Sequence, residues 1–499
     1  MRKIYLFVMC MICAVTVLAQ QTRRVEGKVT DQGIGISLIG VSIQLKGTKI
    51  GATTDKDGRY SIAVPSQGNN ILVFSYMGYL TREVNVGDKG TVNLTLSEDS
   101  KVLNDVVVIG YGTVARKDIT GSVSSVNMDD MSKAPVKSFD EALAGRVAGV
   151  QVSSSEGKPG AGINIIVRGS NSLTQDNSPL YVIDGFPIEG SDNNILSPSE
   201  IESIEVLKDA SATAIYGARG ANGVILITSK KGKVGAPVIN YNGYYGFQNN
   251  INTVELMNPY EFIKLQNEID PVGIQQNYFK DGKTSEDYRN EPGINWQNQL
   301  FQTAPMQNHD VSVRGGSNAT RYSVSANLLG QDGVIINSGF RRHQVKVTLD
   351  QSINKKVKVG TNIFYTSTKM FGTSPSAPDA AFSAMNYLMY SVWGYRPLSG
   401  SNFDLENSLI DADLNPTNDY RINPILSAKN ELRQNYTNNF VGNAYGEYQV
   451  SNNLKLKVTG GVNRTSSRNE SFNNSLTRYG YAGSTDKVNG TILNTDVNN

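Results

Sequence analysis

The sequence has few of the residues that usually carry catalytic or metal chemistry. Cysteine occurs only at positions 10 and 13, and the only histidines are His309 and His343. Neither histidine stands in the HExxH spacing of a zinc peptidase, and the chain has no GxSxG or P-loop motif. We therefore predict that the chain is not an enzyme and has no catalytic residue, cofactor or metal site.

A strong net charge and long apolar runs are also missing. The chain has 47 basic and 45 acidic residues and a formal net charge of +2. Nucleic-acid-binding proteins concentrate positive charge, so nucleic acid is not an expected partner. After residue 19 no run of about 18 apolar residues occurs, which argues against a membrane-spanning helix. Alternating β-strands cross membranes without such runs and stay compatible with this sequence.

Residues 1–19 have the pattern of a secretory signal peptide. Arg2 and Lys3 precede an apolar run from Ile4 to Ala19, and small or apolar residues stand at its end. The run is short for a membrane anchor, and polar sequence follows at once. Cleavage there would leave a chain without cysteine, which uses neither disulfides nor thiol chemistry.

Residues 22–97 show the pattern of an immunoglobulin-like β-sandwich. Alternating segments separated by turn signals recur at 24–30, 41–45, 59–64, 71–76, 80–86 and 91–96. The turn between the second and third of these contains Asp55 and Asp57, which suggests a calcium loop. Arg59 occupies the place of a third oxygen ligand, so a plain turn is the better interpretation.

Residues 98–112 combine a polar linker with a short apolar segment. The segment consists of Asp105, Val106, Val107, Val108, Ile109 and Gly110. Four β-branched residues in a row predict either a buried strand or a segment that adds to the sheet edge of another protein through backbone hydrogen bonds. The position between a linker and the next domain favours the second interpretation.

Residues 113–234 predict a compact α+β unit. Ser138–Glu141 and Ser197–Glu200 have the form of capping boxes, and the first is expected to start a helix at 139–147. Asp209 is the expected cap of a further helix at 210–216. Buried strands are expected at 180–183 and 224–228, because both stretches are apolar and rich in β-branched residues.

A run of glycines separates that last helix from the strand at 224–228. Gly217, Gly220 and Gly223 give a GxxGxxG spacing that leads from a helix into a strand. Dinucleotide-binding fingerprints have the spacing GxGxxG and lead from a strand into a helix. The glycines are therefore interpreted as the residues of a sharp chain reversal.

Residues 235–499 change to long strands of alternating polar and apolar residues. Seven are predicted, near 238–247, 308–315, 320–330, 340–350, 356–367, 438–450 and 453–464. Their connections are alternately long and short, roughly 60, 4, 9, 5, 70 and 2 residues, which is typical of outer-membrane barrels. The first long connection contains a capping box at Asn258–Glu261. The second, within 368–437, is interpreted as solvated loop.

Three motifs of the α+β unit resemble the plug of the SusC/RagA family of TonB-dependent outer-membrane transporters. They are GINIIVRGSNSL at 162–173, PLYVIDGFP at 179–187 and IESIEVLKDASATAIYGARGANGVILITSKKG at 201–232. The sandwich resembles the carboxypeptidase-regulatory-like domain that precedes the plug in this family, and segment 105–110 resembles its TonB box. The resemblance is strong over residues 22–260 and rests on the strand pattern beyond.

The resemblance implies a fold and a set of site residues. The fold class would be mainly β: a carboxypeptidase-regulatory-like sandwich at 22–97, an α+β plug domain at 113–234 and the first part of a transmembrane antiparallel β-barrel at 235–499. Asp105–Gly110 would bind TonB. Structural roles within the plug or against the barrel wall are expected for Arg168, Gly169, Asp184, Gly185, Gly217, Gly220 and Gly223.

The resemblance also implies a function. The protein would be a receptor in the cell outer membrane that imports oligosaccharides or peptides when TonB pulls on segment 105–110, with its N-terminal domain in the periplasm. A SusD-like surface lipoprotein would cover the outer mouth, and outer-membrane lipid would surround the barrel. The alternative is a signalling receptor or adhesin-like binding protein without transport. The particular substrate is not encoded in any motif recognised here.

The sequence predicts fewer barrel strands than a complete transporter of this family needs. A plugged transporter needs about 22 strands of about 9–11 residues. Seven strands would leave an open edge with unpaired backbone groups in lipid, which is unfavourable. The sequence is therefore expected to be the N-terminal part of a longer protein.

Overall fold

The computed structural model describes residues 22–32, 36–66, 70–76, 79–97, 106–109, 112–115, 123–126, 128, 137–154, 157–173, 176–188, 194–375, 388–400, 403–411, 413, 421–451, 453–484 and 487–498. These residues form two compact units. No helix in these ranges is both long and apolar enough to cross a membrane. The predicted signal peptide lies outside them.

The first unit is a β-sandwich of a three-stranded and a four-stranded sheet. The three-stranded sheet has the order β4-β1-β7 and the other the order β3-β2-β5-β6. Side chains alternate between the two faces of each strand, and the inward-facing ones, among them Val25, Ile62 and Phe74, form a common buried core. The strands are β1 (Thr22–Asp31), β2 (Ser42–Leu45), β3 (Gly51–Thr53), β4 (Arg59–Pro65), β5 (Ile71–Ser75), β6 (Arg82–Asn85) and β7 (Leu94–Leu96).

The turn before β4 is held by its own aspartate. Asp55 Oδ1 accepts hydrogen bonds from the backbone N–H groups of Asp57 at 2.9 Å and Arg59 at 2.8 Å. An aspartate that bonds its own turn in this way needs no cation to hold the chain reversal. The geometry therefore favours the plain turn over a calcium loop.

Two short strands, β8 (Val106–Ile109) and β9 (Gly112–Ala115), follow the sandwich and form a two-stranded sheet. The apolar segment predicted at 105–110 thus has its four central residues in strand conformation. Asp105 and Gly110 lie outside the described residues.

The second unit begins with an α+β domain, which we call the central domain (the described residues within 123–232). Its main sheet has the order β10-β15-β16-β13-β14 and contains one parallel pair, β13 with β16. A separate antiparallel pair is formed by β11 and β12. The strands are β10 (Val123–Ser125), β11 (Val150–Ser154), β12 (Ile163–Val167), β13 (Leu180–Ile183), β14 (Phe186–Ile188), β15 (Ile201–Leu207) and β16 (Val224–Ser229).

Short helices connect these strands. They are the α-helices Phe139–Leu143 and Ala210–Thr213 and the 3-10 helices Pro198–Glu200 and Ala214–Gly220. Ser138 caps the first helix by accepting from the Glu141 N–H, as the sequence predicted, although the helix is shorter than expected. Ser197 and Asp209 occupy the predicted N-cap positions, but neither side chain makes the capping hydrogen bond to a backbone N–H of the helix that follows it.

The remainder of the second unit is one antiparallel sheet of eight strands, which we call the long sheet. Each strand pairs with its neighbours in sequence. The strands are β17 (Gly235–Gln248), β18 (Ala304–Gly316), β19 (Thr320–Asp332), β20 (Gly339–Ser352), β21 (Val357–Phe371), β22 (Leu432–Ser451), β23 (Leu454–Asn473) and β24 (Asn489–Asn498). The predicted seven strands are present, and β24 is an additional one.

The connections of the long sheet are sorted by length. Those at 317–319, 353–356 and 452–453 are short turns at one end of the sheet. Those at 249–303 and 372–431 are long, and 333–338 and 474–488 lie between the extremes at the same end as the long ones. The predicted alternation of long and short connections is therefore found in the structure.

The long sheet has its polar residues inside and its apolar residues outside. In a water-soluble sheet the buried face is apolar and the exposed face is polar. Exposed apolar side chains include Val311, Val324, Leu328, Val345, Leu349, Ile363, Leu456 and Val458, each more than a third exposed. Buried polar side chains include Asn308, Asp310, Ser312, Ser325, Asn327, Gln344, Lys346, Asn362 and Thr366.

The described parts of the two long connections pack on each other rather than remaining solvated. Trp296 and Leu300 of the first pack on Leu388, Val392 and Ile425 of the second in one buried cluster. Their α-helices are Pro259–Ile269, Pro271–Asn277, Trp296–Leu300, Leu388–Gly394 and Pro424–Asn430. The expectation of a solvated loop at 368–437 was thus wrong for these helices, whose apolar faces find partners only after folding.

Polar contacts reinforce this packing. The Trp296 indole N–H donates to the Arg396 carbonyl at 2.9 Å. The buried Arg396 guanidinium pairs with Asp411 and, at 3.0 Å, with Asp413. It also donates to the Tyr278 hydroxyl at 2.6 Å. Arg396 therefore links the two long connections, and the predicted capping box at Asn258–Glu261 is confirmed at the start of the first helix.

Candidate functional site

The central domain packs against the polar face of the long sheet. Phe364 and Val441 of the sheet belong to the same buried apolar cluster as Phe139 and Ile225 of the central domain. Phe364 and Val441 are the buried residues that the long sheet contributes to this cluster, since most of its inward-facing side chains are polar. The junction between the two is therefore held largely by hydrogen bonds and ion pairs.

Two glycines allow this close approach. A Cβ at Gly160 would lie 2.2 Å from the Phe340 ring, and one at Gly232 would lie 2.4 Å from the Tyr322 backbone. Real Cβ atoms do not approach other atoms so closely, so a larger residue at Gly232 would force the central domain away from β19.

Hydrogen bonds surround the apolar contact. The Ser199 hydroxyl donates to Asp310 Oδ1 at 2.7 Å, and the Ser197 N–H donates to Gln344 Oε1 at 2.9 Å. Thr366 Oγ1 donates to the Ile195 carbonyl at 2.8 Å. The segment 195–200 is thus bonded to three strands of the long sheet, β18, β20 and β21.

An ion cluster lies at the centre of this junction, and we call it the Glu200 cluster (Glu200, Arg314 and Lys346). Glu200 Oε2 lies 3.3 Å from Lys346 Nζ, and Glu200 Oε1 lies 3.4 Å from Arg314 Nη2. The side chains of Glu200 and Lys346 are 5% and 1% exposed. The Lys346 ammonium also donates to the Lys230 carbonyl at 2.7 Å. Since buried charges are stable only when paired, the cluster ties the central domain to β18 and β20.

Lys230 extends the cluster within the central domain. Its Nζ donates to the Ser199 carbonyl at 2.7 Å, and its backbone N–H donates to the Glu200 carbonyl at 2.8 Å. Burial lowers the pKa of Lys230, and the neighbouring Arg314 adds to this effect. The surroundings therefore disfavour the charged form of Lys230, and the negative charges of Glu200 and Asp310 partly offset this effect.

Arg168 and Asp184, the two charged residues singled out from the sequence, make contacts inside the central domain. Asp184 accepts from the Ser229 N–H at 3.0 Å and from the Ser229 hydroxyl at 2.6 Å, which joins the ends of β13 and β16. Arg168 forms an ion pair with Asp209. Both Arg168 and Asp184 have positive φ, at 59° and 50°. These contacts fit the first of the two expected structural roles, holding the domain together.

The predicted glycines lie at chain reversals of the central domain. Gly223 has φ 91°, and a Cβ there would lie 3.0 Å from Val167 Cβ, so both conformation and space favour glycine. A Cβ at Gly220 would lie 2.9 Å from the Thr213 carbonyl oxygen. Positive φ is also found at Gly169, Gly185 and Gly217.

The segment predicted to bind TonB is available as a strand. In a two-stranded sheet such as β8 with β9, each strand keeps one edge that is not part of the pair. A strand of another protein adds at such an edge through backbone hydrogen bonds. The geometry of Val106–Ile109 is therefore compatible with that role, which remains a prediction.

A cavity of about 380 Å³ opens between the central domain and the long-connection end of the long sheet. Its charged lining residues are Lys158, Glu431, Arg433 and Arg478. A second cavity of about 330 Å³ shares Lys158 and Arg433 with it. Sequence reasoning missed both cavities, because their residues come from distant segments and form no local motif.

No group of three or more His, Cys, Asp or Glu residues in the described part of the chain is placed to hold a metal ion. His309 lies on β18, where its Nδ1 is hydrogen-bonded to the Tyr241 hydroxyl at 2.8 Å. The side chain thus takes part in an ordinary cross-strand contact.

Two parts of the chain match known protein families. Residues 25–108 match the CarboxypepD_reg-like domain, and residues 115–224 match the TonB-dependent receptor plug domain. The second match covers most of the central domain.

The chain also resembles individual receptors. It is 36% identical over 461 residues to TonB-dependent receptor P3 of Formosa agariphila, a match that covers 92% of the chain and 44% of that receptor. It is 34% identical over 454 residues to TonB-dependent receptor SusC of Bacteroides thetaiotaomicron, which covers 87% and 43%. The chain thus spans less than half the length of these relatives.

The fold has a solved counterpart as well. The structure of the RagAB peptide importer in the open-open state matches with a TM-score of 0.61 and 29% identity, over 74% of this chain and 43% of that one. The predicted fold class is therefore confirmed, and the match to a receptor plug domain bears out the prediction that the chain is not an enzyme. With both domains in the same order and relatives at 34–36% identity, the chain is similar to TonB-dependent receptors of the SusC/RagA type over less than half of their length.

Proposed function

We propose that the chain is the plug-bearing part of an outer-membrane importer of oligosaccharides or peptides that is energised through TonB. TonB-dependent receptors are outer-membrane proteins, and one similar solved structure is that of a peptide importer. TonB would bind the segment 105–110 and pull on it. The central domain would act as the plug.

The observation that carries this proposal is the reversal of the two faces of the long sheet. Its exposed face is apolar and its polar face is covered by the central domain. An exposed apolar face suits lipid rather than water, and a polar inner face suits a passage for hydrophilic cargo. The two faces together support a membrane-embedded wall with a plug inside it.

The junction between the central domain and the long sheet is suited to a plug that moves. Its contacts are hydrogen bonds and the Glu200 cluster around a small apolar core. Polar contacts exchange with water when two surfaces separate, so their net free energy is small compared with that of a large apolar interface. A pulling force would therefore release such a junction more readily than a fully apolar one.

The assignment of the remaining parts follows the same proposal. Residues 1–19 would direct export, the sandwich at 22–97 would lie in the periplasm, and 98–112 would link it to the plug at 113–234. Residues 235–499 would contribute part of the membrane barrel. A SusD-like surface lipoprotein would be the partner at the outer mouth, as the resemblance to SusC/RagA receptors implies.

Placing a charge on the exposed face tests the membrane position of the long sheet. Val324 is 44% exposed near the middle of β19. We expect Val324→Arg to destabilise the protein folded in the membrane by about 2–4 kcal/mol, because arginine on a lipid-facing strand is costly. The measurement is the amount of folded, heat-modifiable protein in outer-membrane fractions, together with uptake by the same cells.

Val254→Arg is the matched control. Val254 is 50% exposed in the long connection at 249–303, so it starts from the same residue type and a similar exposure. It should leave folded protein and uptake near the level of the unchanged protein. Equal tolerance of both substitutions would place the face of β19 in water and would refute the proposed importer. An adhesin-like or signalling receptor would share the membrane result and is separated from an importer by whether cells take up the ligand and whether that uptake requires Val106–Ile109.

A further inference from the structure

Three cationic side chains from separate parts of the chain line the 380 Å³ cavity. Lys158 belongs to the central domain, Arg433 to the start of β22, and Arg478 to the connection between β23 and β24. All three are half-buried. An anion bound there would interact with them in surroundings less polar than bulk water, which strengthens the attraction.

One carboxylate among the described lining residues offsets part of this charge. Glu431 is 6% exposed and accepts from the Ser427 hydroxyl at 2.8 Å and the Thr373 hydroxyl at 3.2 Å. It also lies 3.4 Å from Arg433 Nη2. The four charged lining residues thus comprise three cations and one anion, and the anion is engaged with partners of its own.

The cations are held in place by the protein. Lys158 Nζ donates to the Gly372 carbonyl at 2.5 Å, and Arg433 Nη2 donates to Asn473 Oδ1 at 2.7 Å. The Arg478 guanidinium donates to the Ser391 hydroxyl. Side chains that are already ordered lose little entropy when a ligand binds, so this arrangement favours binding.

The cavity has the size and lining of a ligand site. Its volume lies within the range of about 300–1,000 Å³ that is usual for small-molecule sites. Tyr479, which is 40% exposed, adds an aromatic ring to the lining. The adjoining cavity shares Lys158 and Arg433 and contains Glu470, whose carboxylate pairs with Arg468 at 2.5 Å. Together the two cavities extend the site along the polar face.

We propose that this cavity binds a carboxylate group of the imported oligomer, so that the importer selects acidic cargo. The inference rests on the proposed function, because the ligand is taken to be the transported molecule. Arginine and lysine are the side chains that best bind carboxylates, through charge-assisted hydrogen bonds. The carboxylate belongs either to a uronic acid of an oligosaccharide or to a peptide.

Binding to the purified full-length protein in detergent tests this inference. The probes are a galacturonate trimer and its fully methyl-esterified form, and a tripeptide with a free carboxylate and its amide. Arg478→Gln should weaken binding of the charged probe by about tenfold or more, as expected for loss of a charge-assisted hydrogen bond, and should leave the neutral probe unaffected. Lys158→Met provides a second variant in a different element, should the first fold poorly.

Arg421→Gln is the matched control. Arg421 lies in the same set of connections, donates to the Tyr481 hydroxyl at 3.0 Å and is not part of the cavity lining. It should leave binding unchanged. The inference is supported when only the charged sugar or only the charged peptide binds, and that result also identifies the source of the carboxylate.

Equal binding of charged and neutral probes, no binding of either, or unchanged affinity in both cavity variants would overturn the inference. Binding in detergent needs neither TonB nor a proton gradient. A failure of the carboxylate site is therefore distinguishable from a failure of the proposed transport, which is measured as uptake by cells.

Discussion

Deletion of Val106–Ile109 is expected to reduce uptake to the level of cells without TonB, while the protein still binds its ligand. These residues form β8, whose backbone offers the edge at which a strand of TonB would add. Without them the pulling force has no point of attachment. The measurement compares uptake of a labelled oligosaccharide or peptide with its equilibrium binding to the same cells.

Deletion of residues 98–101 controls for the shortened chain. These four residues belong to the polar linker, so the deletion removes the same length of chain and leaves segment 105–110 in place. It should keep most of the uptake. Unimpaired uptake after loss of Val106–Ile109 would contradict the transport mechanism and favour a receptor or adhesin that needs no pulling.

Glu200→Ala is expected to destabilise the junction of the central domain with the long sheet by about 3–5 kcal/mol, because it leaves a buried charge without its partner. The stranded charge is Lys346, whose side chain is 1% exposed. Arg314 loses its carboxylate partner as well. The expected signs are a lower melting temperature and a leak of large antibiotics or ions through the membrane.

Glu202→Ala is the matched control for this effect. Glu202 lies two residues away, is half-exposed, and its contact with the exposed Lys233 spans 3.9 Å. Exposed ion pairs contribute about 0–1 kcal/mol, so this variant should resemble the unchanged protein. The double variant Glu200→Met with Lys346→Met removes both charges and should recover part of the loss. If Glu200→Ala and Glu202→Ala had the same melting temperature and let equally few ions leak through the membrane, the Glu200 cluster would not anchor the plug.

The features that could be predicted from the sequence are those that depend on residues close together in the chain. Alternation with period two is a local signal, so seven strands of the long sheet were located, most of their ends within about four residues. The prediction placed the start of β22 six residues too late and the end of β23 nine residues too early. Strand β24 was missed because Ile492 and Leu493 are adjacent and break the alternation. The order of the domains followed from long motifs that are likewise continuous in sequence.

The features that could not be predicted depend on contacts between distant residues. Glu200 was interpreted as part of a capping box, since Ser197 precedes it at the right spacing. In the structure its partners Arg314 and Lys346 are 114 and 146 residues away, and only the closing of the central domain onto the long sheet brings them together. The cavity at Lys158, Arg433 and Arg478 was missed for the same reason.

The packing of the long connections shows a third limit. Exposed polar residues made the stretch at 368–437 resemble solvated loop. The structure instead uses Leu388, Val392 and Ile425 to cover Trp296 of the other long connection. Each stretch alone offers too little apolar surface to signal a core, and the signal arises only when both are considered together.

The measurement that tests the central claim most directly is uptake with the central domain reversibly fixed to the long sheet. The chain has no cysteine beyond position 13, so Ser199→Cys with Asp310→Cys introduces one pair at a contact where the two side chains now meet at 2.7 Å. Energised uptake should stop when the disulfide forms and should return on reduction, with ligand binding and each single variant unaffected. Uptake that continues at full rate through the oxidised pair would contradict the account, because cargo would then pass without movement of the central domain from the wall.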